Sequence, residues 1–410
     1  MQSIKNKDIA IIGGGILGLA TAKALQQHAS RSVRHPLSLV VLEAEPQLGC
    51  HQTSHNSGVI HSGLYYRPGS LKAKNCAQGR EAMYRFCAEH QIAYERCGKI
   101  VVATSPEQIL ALDELECRGI ANGLKGLKRI VGEALTDIEP HVAGCAGLWI
   151  PETGIVDFRE VAERFSQELQ ALGGTIKTGF QVNQIQEQQG LFILSNGQEE
   201  MCAKHLINCG GLYSDRIAAL CGLDSRLHII PFRGEYYKLV KAKEHLVRHL
   251  IYPVPDPRFP FLGVHFTRMI HGGIEAGPNA VLAFKRAGYQ RNSFSLKDTA
   301  SMLSYGGFWR MNRKYWRMGL DEFHRSLSKR AFVHALQALI PTLTEDDIER
   351  QGAGVRAQAV DTEGRLIDDF RILEKSRMIH VLNAPSPAAT ASISIGETIA
   401  HMAIRNFGLQ

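Results

Sequence analysis

The chain has 410 residues, of which 44% are hydrophobic and 21% charged, and its formal net charge is +7. This length is too great for one small core and predicts two interleaved domains of an ordinary globular protein. The positive charge favours an anionic ligand or surface, but none of the usual nucleic-acid-binding motifs is present. No apolar run reaches the roughly 18 residues of a transmembrane helix, so any membrane contact is expected to be peripheral.

The nine cysteines all fall before residue 222, form no C-x-x-C pair and show no metal-ligand spacing. An odd number without such spacing favours a reduced setting, in which the cysteines are small buried residues rather than disulfide partners. The chain enters its first predicted strand almost at once, which leaves no room for a signal or transit peptide. The sequence therefore predicts a cytoplasmic protein with no metal site.

The first element, residues 8–19, predicts a buried strand, a glycine turn and the start of a helix. Gly13, Gly15 and Gly18 have the spacing G-x-G-x-x-G. The first glycine permits a sharp turn, the second lets the backbone approach a pyrophosphate, and the third lets the helix pack on the strand. The next apolar strand ends at Glu43, about where the partner of a ribose hydroxyl is expected. The stretch predicts that the chain binds a dinucleotide.

Residues 49–66 combine small hydroxyl residues, glycines and three histidines. Their apolar periodicity is too weak for a core element, and a loop that passes close to a ligand explains the composition. A polar surface loop is the alternative. A metal site is a third interpretation, but no fourth ligand with a regular spacing accompanies His51, His55 and His61.

The following part of the chain alternates between helical and strand patterns. The predicted elements are a helix capped by Ser70 and running to His90, a strand at 99–103, a helix at 106–122, a helical turn at 135–139, a strand at 147–150, a helix at 155–172, strands at 175–177, 180–186 and 191–194, a hairpin turn at Asn196-Gly197, a strand at 205–211 and a helix at 212–220. The strand at 205–211 again ends in glycines, including Gly210. This return to a strand–glycine–helix unit predicts a nucleotide-binding domain that is interrupted by a second domain.

Residues 226–290 predict a mixed or antiparallel sheet that forms a substrate domain. Its strands are predicted at 227–230, 235–240, 262–268 and 273–275, with turns at Pro255, Pro257, Pro260 and Pro278. Residues 297–340 are predicted to be helical. Within them, residues 308–330 alternate aromatic side chains with arginines and lysines, a pattern typical of a helix on an anionic membrane surface. An ordinary helix whose aromatic residues pack on the domain is the alternative.

The C-terminal part predicts a third approach to the same ligand. A strand from Ile379 leads into a turn of small residues at 384–390, and a helix at about 394–405 follows. We therefore predict an α/β fold (α+β overall) with a Rossmann-like domain built from discontinuous segments and an interleaved substrate domain. The predicted segments are 1–75, 152–222 and 350–410 for the first domain, and 76–151 and 223–349 for the second.

Several motifs that span nearly the whole chain resemble a known family. They are HQTSHNSGVIHSG at 51–63, PFRGEYY at 231–237, YPVPDP at 252–257, GPNAV at 277–281, GVRAQ at 354–358 and NAPSPAAT at 383–390. The chain resembles the L-2-hydroxyglutarate oxidase/dehydrogenase family, within the D-amino-acid-oxidase-like FAD-dependent oxidoreductases. The resemblance implies FAD as cofactor and oxidation of L-2-hydroxyglutarate to 2-oxoglutarate by hydride transfer to the flavin N5. Electrons are then expected to pass to membrane quinone or to oxygen, at the cytoplasmic face of the inner membrane or in the cytoplasm.

Oxidation of a 2-hydroxy acid needs a base for the hydroxyl proton, and histidine suits that role near neutral pH. His61 is the first candidate, because its loop is expected to pass the flavin, and His265 is the second. A dicarboxylate substrate needs fixed cations, for which the candidates are Arg356, Arg233 and Arg268.

The contacts to FAD follow from the resemblance. They are Gly13, Gly15 and Gly18 for the pyrophosphate, Glu43 for the ribose, Thr53, Ser57, Gly58 and Val59 for the flavin face, His55 as a further cofactor contact, Val182 for the backbone contact to adenine, and Gly210, Pro385, Ala388 and Ala389 to close the site. Two hypotheses compete with this function. One is a relative that acts on glycerol 3-phosphate or an amino acid, and the other is a non-catalytic flavin-binding redox module.

Overall fold

A computed structural model describes residues 6–31, 37–256 and 262–409. Within these residues the chain forms two large sheets and one small three-stranded sheet. The turns predicted at Pro257 and Pro260 lie outside the described residues.

The strands are named in chain order. They are β1 (Lys7–Ile12), β2 (Leu39–Leu42), β3 (Val59–Ile60), β4 (Tyr94–Glu95), β5 (Lys99–Ala103), β6 (Lys128–Val131), β7 (Ala146–Ile150), β8 (Gly154–Val156), β9 (Thr175–Lys177), β10 (Gln184–Gln188), β11 (Leu191–Ser195), β12 (Glu200–Asn208), β13 (Leu227–Leu239), β14 (Leu250–Pro253), β15 (His265–Arg268), β16 (Ile274–Gly277), β17 (Val281–Leu282), β18 (Ile348–Asp361), β19 (Arg371–Lys375) and β20 (Met378–Asn383).

The helices are named in the same way. They are α1 (Ile16–Arg31), α2 (Leu71–Glu89), α3 (Ile109–Ala121), α4 (Ala134–Ile138), α5 (Phe158–Ala171), α6 (Ser214–Leu220), α7 (Leu296–Leu303), α8 (Gly306–Leu327), α9 (Lys329–Gln337) and α10 (Ser392–Phe407), with short 3₁₀ turns at Pro106–Gln108, Gly211–Tyr213, Lys241–Leu246 and Glu345–Asp347.

The first large sheet has a parallel centre. β1 pairs with β2 and β12, β2 pairs with β9, and β12 pairs with β20, all in parallel. The hairpin β10–β11 and strand β19 extend the sheet with antiparallel pairs. Helices α1, α2, α5 and α10 cover one face and share a core with residues such as Leu19, Phe165 and Ile399. Distant parts of the chain thus assemble the predicted Rossmann-like sheet.

The second large sheet is mixed, as predicted. β13 pairs antiparallel with β16, β17 and β18, whereas β5 pairs in parallel with β14. The pairing of β18 with β13 puts residues 348–361 in this sheet, although the sequence grouped residues from 350 onward with the nucleotide-binding segments. We therefore propose a boundary at about residue 362 instead of residue 350, because β18 shares its hydrogen bonds with the second sheet.

Side chains along the second sheet alternate between its two faces. Tyr237 and Phe266 join a core cluster on the face that α9 covers. Their neighbours Tyr236 and His265 therefore point to the opposite face, which borders the cavity described below. This alternation decides which residues of the substrate domain reach the ligand.

The predicted helix at 155–172 begins later, at Phe158. Ile155 and Val156 belong to β8, which pairs antiparallel with β3. The side chain of Asp157 then accepts a hydrogen bond from the backbone N–H of Arg159 (2.8 Å) and caps the helix. The apolar periodicity runs across this strand–helix junction, so pattern alone did not separate the two elements.

Candidate active site

A cavity of about 1520 Å³ is lined by residues of both large sheets. Its walls come from the glycine turn before α1, the loop at residues 49–61, strands β13, β15 and β18, and the turn at 384–390. Pockets for small ligands commonly hold roughly 300–1,000 Å³. The larger volume here suits an extended ligand such as a dinucleotide together with a small substrate.

The glycine turn lies at one end of this cavity. Gly13 has a φ of +113°, and a Cβ at this position would lie 2.4 Å from the carbonyl oxygen of Cys209. A Cβ on Gly18 would lie 1.9 Å from the carbonyl oxygen of Gly13, so Gly18 acts through the close packing of α1 on the turn. Gly15 and Ile16 line the cavity, so the positive end of the α1 dipole faces it and suits a pyrophosphate.

Glu43 and Thr53 hold the turn from either side. The Glu43 carboxylate accepts hydrogen bonds from the N–H groups of Gly14 (2.6 Å) and Glu45 (2.9 Å). The Thr53 hydroxyl accepts one from the N–H of Ile16 (3.0 Å). Both side chains border the cavity. Because a carboxylate offers about four acceptor positions, Glu43 retains capacity for the predicted ribose hydroxyl.

Residues 180–183 and Gly210 border the same end of the cavity. The strand predicted at 180–186 is shorter than expected, because β10 begins at Gln184. Phe180 instead donates its backbone N–H to the carbonyl of Glu43 (2.8 Å) and carries the chain along the cavity. Val182 lies in this segment, and its contact to adenine stays a prediction.

The three histidines of the loop at residues 49–61 point in different directions. His51 pairs with Glu45 (2.9 Å), whereas the ring of His55 stacks on Tyr289 with centroids 4.0 Å apart. His61 lies farther along the cavity. Within the part of the chain that the structure describes, these histidines do not form one metal-ligand group. His55 lines the cavity, so its contact to the cofactor remains a prediction.

Thr390 joins the loop to the C-terminal turn at the other end of the cavity. Its buried hydroxyl accepts a hydrogen bond from the backbone N–H of His61 (3.1 Å) and donates one to the carbonyl of Val59 (3.2 Å). The predicted residues that line the cavity here are Ser57, Val59, Pro385, Ala388 and Ala389. Gly58 does not line the cavity. It shapes the turn through its φ of +66° and through its carbonyl oxygen, which accepts a hydrogen bond from the Val156 N–H.

The hydrogen bonding of His265 determines which of its ring nitrogens can accept a proton at this end of the cavity. Its Nδ1 lies 2.8 Å from the carbonyl oxygen of Gly263. A carbonyl only accepts, so Nδ1 carries the proton and Nε2 remains an acceptor. The His265 ring also contacts the ring of Tyr252, with centroids 3.9 Å apart. The Nε2 of His61 instead lies 3.4 Å from the hydroxyl of Ser386.

Both imidazoles are uncharged at neutral pH. Burial is the main cause that lowers the pKa of His61 to about 3, and the positive charge of Lys99 is the next. Burial also lowers the pKa of His265 to about 4, and Lys99 and Arg356 contribute in the same direction. His61 is half-buried and borders the cavity. A neutral imidazole is the form that a general base requires.

Arg356 lies on β18 opposite Phe232 of β13, and both side chains line the cavity. Part of Arg356 is exposed where it borders the cavity, and desolvation within the fold lowers the pKa of the guanidinium. The phenols of Tyr236 and Tyr66 lie near it, and burial raises the pKa of both, so they stay neutral. A guanidinium fork beside two hydroxyl groups suits a carboxylate ligand.

Arg233 and Arg268 do not line the cavity, which corrects the prediction for these two candidates. Arg233 follows the cavity residue Phe232 on β13, so alternation turns it to the opposite face, where it pairs with Glu235 (3.0 Å). Arg268 has the same parity as the core residue Phe266, and its guanidinium donates to both carboxylate oxygens of Glu95 (2.9 and 3.2 Å). Both cations are therefore engaged away from the cavity.

Several aromatic and charged side chains at this end of the cavity were not predicted from the sequence. Tyr65, Tyr66, Tyr236 and Tyr252 line the cavity, and Lys99 lies behind its wall. Those on β5, β13 and β14 share the cavity-facing parity of the second sheet. Alternation of side chains along these strands could have identified them, but only once the bounds and register of each strand were known.

A sequence profile described as FAD dependent oxidoreductase matches residues 8–402 of this chain. The chain belongs to the FAD dependent oxidoreductase family. The match runs from β1 into α10 and so includes both large sheets. FAD is therefore the cofactor, in agreement with the prediction, and the glycine turn and the large cavity fit a dinucleotide of this kind.

Two proteins from other organisms are similar to this chain over nearly its whole length. The L-2-hydroxyglutarate dehydrogenase of Indibacter alkaliphilus is 51% identical over 401 residues, which cover 97% of this chain and 99% of that protein. The mitochondrial L-2-hydroxyglutarate dehydrogenase of Homo sapiens is 44% identical over 426 residues, which cover 99% of this chain and 90% of that protein. The resemblance that the motifs predicted is confirmed.

A solved structure supports the fold of this FAD dependent oxidoreductase. Dithionite-reduced L-alpha-glycerophosphate oxidase from Mycoplasma pneumoniae, with FAD bound, matches with a TM-score of 0.79 at 21% identity, covering 99% of this chain and 96% of that one. The match confirms the predicted mixed α/β fold. Among the described helices, none combines the length and the apolar character needed to span a membrane.

Proposed function

We propose that this chain is an FAD-dependent dehydrogenase that oxidises L-2-hydroxyglutarate to 2-oxoglutarate. The observation that carries the proposal is the grouping of Arg356 with the neutral imidazoles of His61 and His265 in the cavity that also contains the glycine turn. These residues supply a cation for a carboxylate and a base for a hydroxyl proton. The choice of L-2-hydroxyglutarate as substrate is based on the names of relatives at 44% and 51% identity.

In this proposal Gly13, Gly15 and the N-terminus of α1 hold the pyrophosphate of FAD, and Glu43 accepts a hydrogen bond from the ribose. The adenine end is assigned to Val182 and Gly210, and the flavin end to the loop at residues 53–59 and the turn at 385–389. FAD supplies the acceptor for the hydride that leaves the alpha carbon of the substrate.

Arg356 would orient the substrate by binding one carboxylate with two parallel N–H···O bonds. The hydroxyl groups of Tyr66 and Tyr236 lie near the same guanidinium and remain protonated, so they can donate further hydrogen bonds. Two parallel hydrogen bonds strengthen binding and also fix the orientation of the carboxylate, and they thereby fix the position of the alpha carbon attached to it.

The hydrogen bond from His265 Nδ1 to Gly263 supports His265 as the general base. In this role Nε2 takes the proton of the substrate hydroxyl while the hydride leaves the alpha carbon, and the carbinol becomes a ketone. His61, our first choice from the sequence, lies beside the Ser386 hydroxyl and would orient the substrate hydroxyl or share the proton. The assignment of these two roles is part of the proposal.

The electron acceptor is proposed to be a quinone that is reached at a membrane surface, with oxygen as the alternative. Trp309, Trp316 and Leu320 on α8 are 54%, 49% and 59% exposed, and their spacing of seven and four residues puts them on one side of the helix. Arg313 and Arg317 are exposed on the same helix. An exposed row of tryptophan and leucine beside arginine suits an anionic interface, which the cytoplasmic face of a membrane provides.

The opposite side of α8 supports this orientation. Phe308 and Met311 pack in a core cluster, while Lys314 and Tyr315 border the cavity. The helix thus connects the mouth of the cavity with the exposed aromatic row. Double replacement Trp309→Ser/Trp316→Ser should abolish flotation with vesicles of phosphatidylglycerol while flavin reduction stays unchanged. Equal flotation of variant and wild type would refute membrane contact through α8.

The test of the substrate is an anaerobic titration of the purified holoenzyme with L-2-hydroxyglutarate. We expect stoichiometric bleaching of the oxidised flavin, followed by reoxidation when a soluble quinone is added. D-2-hydroxyglutarate, glycerol 3-phosphate and a panel of L-amino acids serve as controls. Bleaching by one of these instead would replace the proposed substrate, and a yellow protein that none of them reduces would favour the non-catalytic module.

A further inference from the structure

Lys99 is a buried cation that the steps proposed above do not use. It is the first residue of β5, where Ile100 and Val102 fill the core on one face of the second sheet. Alternation therefore directs the Lys99 side chain to the other face, behind the wall of the cavity. Only 1% of the residue is exposed.

The ammonium of Lys99 lies between two aromatic rings that belong to the cavity wall. Its Nζ is 4.4 Å from the ring centroid of Tyr65 and 4.9 Å from that of Tyr252. Such contacts between a cation and ring faces stabilise a desolvated ammonium in part. Among the described residues no carboxylate forms an ion pair with Lys99, and burial lowers its pKa to about 7.

The titratable and charged neighbours of this cluster come from every element packed around it. They are Lys72 and Cys76 from α2, His61, Tyr65 and Tyr66 from residues 61–66, Cys97 from the segment before β5, Tyr236 from β13, Tyr252 from β14, His265 from β15, Glu275 from β16 and Arg356 from β18. Burial raises the pKa of the two thiols and of the phenols, so they are neutral. Glu275 faces Tyr252, and burial raises its pKa to about 7.

Burial of a cation without an anion raises the free energy of the folded state. A negative charge that enters the cavity near Lys99 therefore lowers this free energy. Two consequences follow for the cavity. A second positive charge on either imidazole is disfavoured, because it would add repulsion to the cost of burial. A carboxylate in the cavity is favoured, because its charge is opposite to that of the buried Lys99 ammonium.

The stacking of Tyr252 links this charge to the base. The Tyr252 ring contacts both the Lys99 ammonium and the imidazole of His265. We propose that Lys99 is a positioning residue whose ammonium, held between Tyr65 and Tyr252, keeps His265 and His61 uncharged and attracts the carboxylates of the substrate into the cavity. This inference rests on the proposed function, since it concerns a base that acts on an anionic hydroxy acid.

The test compares Lys99→Met and Lys99→Arg holoenzymes with the wild type in stopped-flow reduction by L-2-hydroxyglutarate across pH. Removal of the charge in Lys99→Met should move the acid limb of kcat/KM upward by about one pH unit and raise KM about tenfold, as expected for one unit charge at an effective dielectric constant of about 20. Lys99→Arg should keep the wild-type limb. Lys128→Met, an exposed lysine on β6 of the same sheet, is the matched control and should change neither value.

An NMR titration of the ¹⁵N-histidine-labelled holoenzyme gives a readout that needs no turnover. We expect His265 to stay neutral below pH 5 in the wild type and to titrate at higher pH in Lys99→Met. Unchanged histidine titration and an unchanged pH profile in Lys99→Met would overturn the inference, as would a wild-type His265 that titrates near pH 6.5 even if the variants do not fold. Failure of L-2-hydroxyglutarate to reduce the wild type would instead refute the proposed function and leave the NMR test valid.

Discussion

Replacement of Arg356 by lysine should weaken substrate binding while leaving FAD in place. The guanidinium can donate two parallel hydrogen bonds to a carboxylate, whereas an ammonium acts as a single point of charge. Loss of one charge-assisted hydrogen bond costs about 1.5–3 kcal/mol, which corresponds to roughly a 10- to 150-fold rise in KM for L-2-hydroxyglutarate. The phenols of Tyr66 and Tyr236 remain in place, so the loss should not exceed that range.

The assay is steady-state reduction of an artificial acceptor, combined with the amount of flavin released from each purified protein. Arg268→Lys is the matched control, because Arg268 lies on the opposite face of the same sheet and binds Glu95, and its KM should equal that of the wild type. An unchanged KM in Arg356→Lys would refute the assignment. Loss of FAD with a normal KM in the remaining holoenzyme would instead make Arg356 a structural residue.

Three further replacements test other parts of the site. His265→Ala should keep FAD but lower kcat/KM by about 10²- to 10⁴-fold, as loss of a general base does. A rate of flavin reduction in stopped flow equal to that of the wild type would remove His265 from that role. Gly18→Ala would place its Cβ 1.9 Å from the Gly13 carbonyl oxygen, so the purified variant should contain little FAD, and a normal flavin content would contradict the packing argument. Burial raises the pKa of Glu275 from 4.5 to about 7, so its carboxyl favours the folded state only while protonated, and that contribution is lost as pH rises from 4.5 through 7. Glu275→Gln should therefore match the wild type in urea unfolding at pH 4 and exceed it by about 3 kcal/mol at pH 8, and equal stabilities at both pH values would refute the shift.

The nucleotide end of the site was predictable because its constraints are local. The spacing of Gly13, Gly15 and Gly18 encodes a turn and a close helix–strand contact within a few residues. Glu43 follows from the length of the next strand. No distant partner has to be known for these assignments, although the turn also requires close contact with Cys209, about 190 residues later.

The substrate end was less predictable, because parity and register decide it. Arg233, Arg268 and Arg356 are equivalent by residue type, yet only Arg356 faces the cavity. A shift of one residue in a strand reverses the face of every side chain, so an uncertain strand start leaves the choice open. The sequence placed strands at 227–230 and 235–240, whereas β13 is continuous from Leu227 to Leu239.

Lys99 shows a second limit of sequence reasoning. A lysine at the start of an apolar strand has the pattern of an exposed edge residue, since lysine is seldom fully buried. Its burial depends on Tyr65 and Tyr252, which come from two other segments of the chain. Neither its environment nor its effect on the imidazoles can be deduced before these segments meet.

The position of β1 in the middle of its sheet has a consequence for synthesis of the protein. One neighbour, β2, follows soon after β1, but the other, β12, lies at residues 200–208. At a translation rate of about 5–20 residues per second, the open edge of β1 stays unpaired for roughly 10 to 40 s until β12 has been synthesised. During that interval the apolar run at residues 9–12 presents unpaired backbone groups that can pair with another nascent chain. The yield of active protein should therefore depend on chaperones that bind the emerging β1–β2 pair, and slow synthesis should lower it.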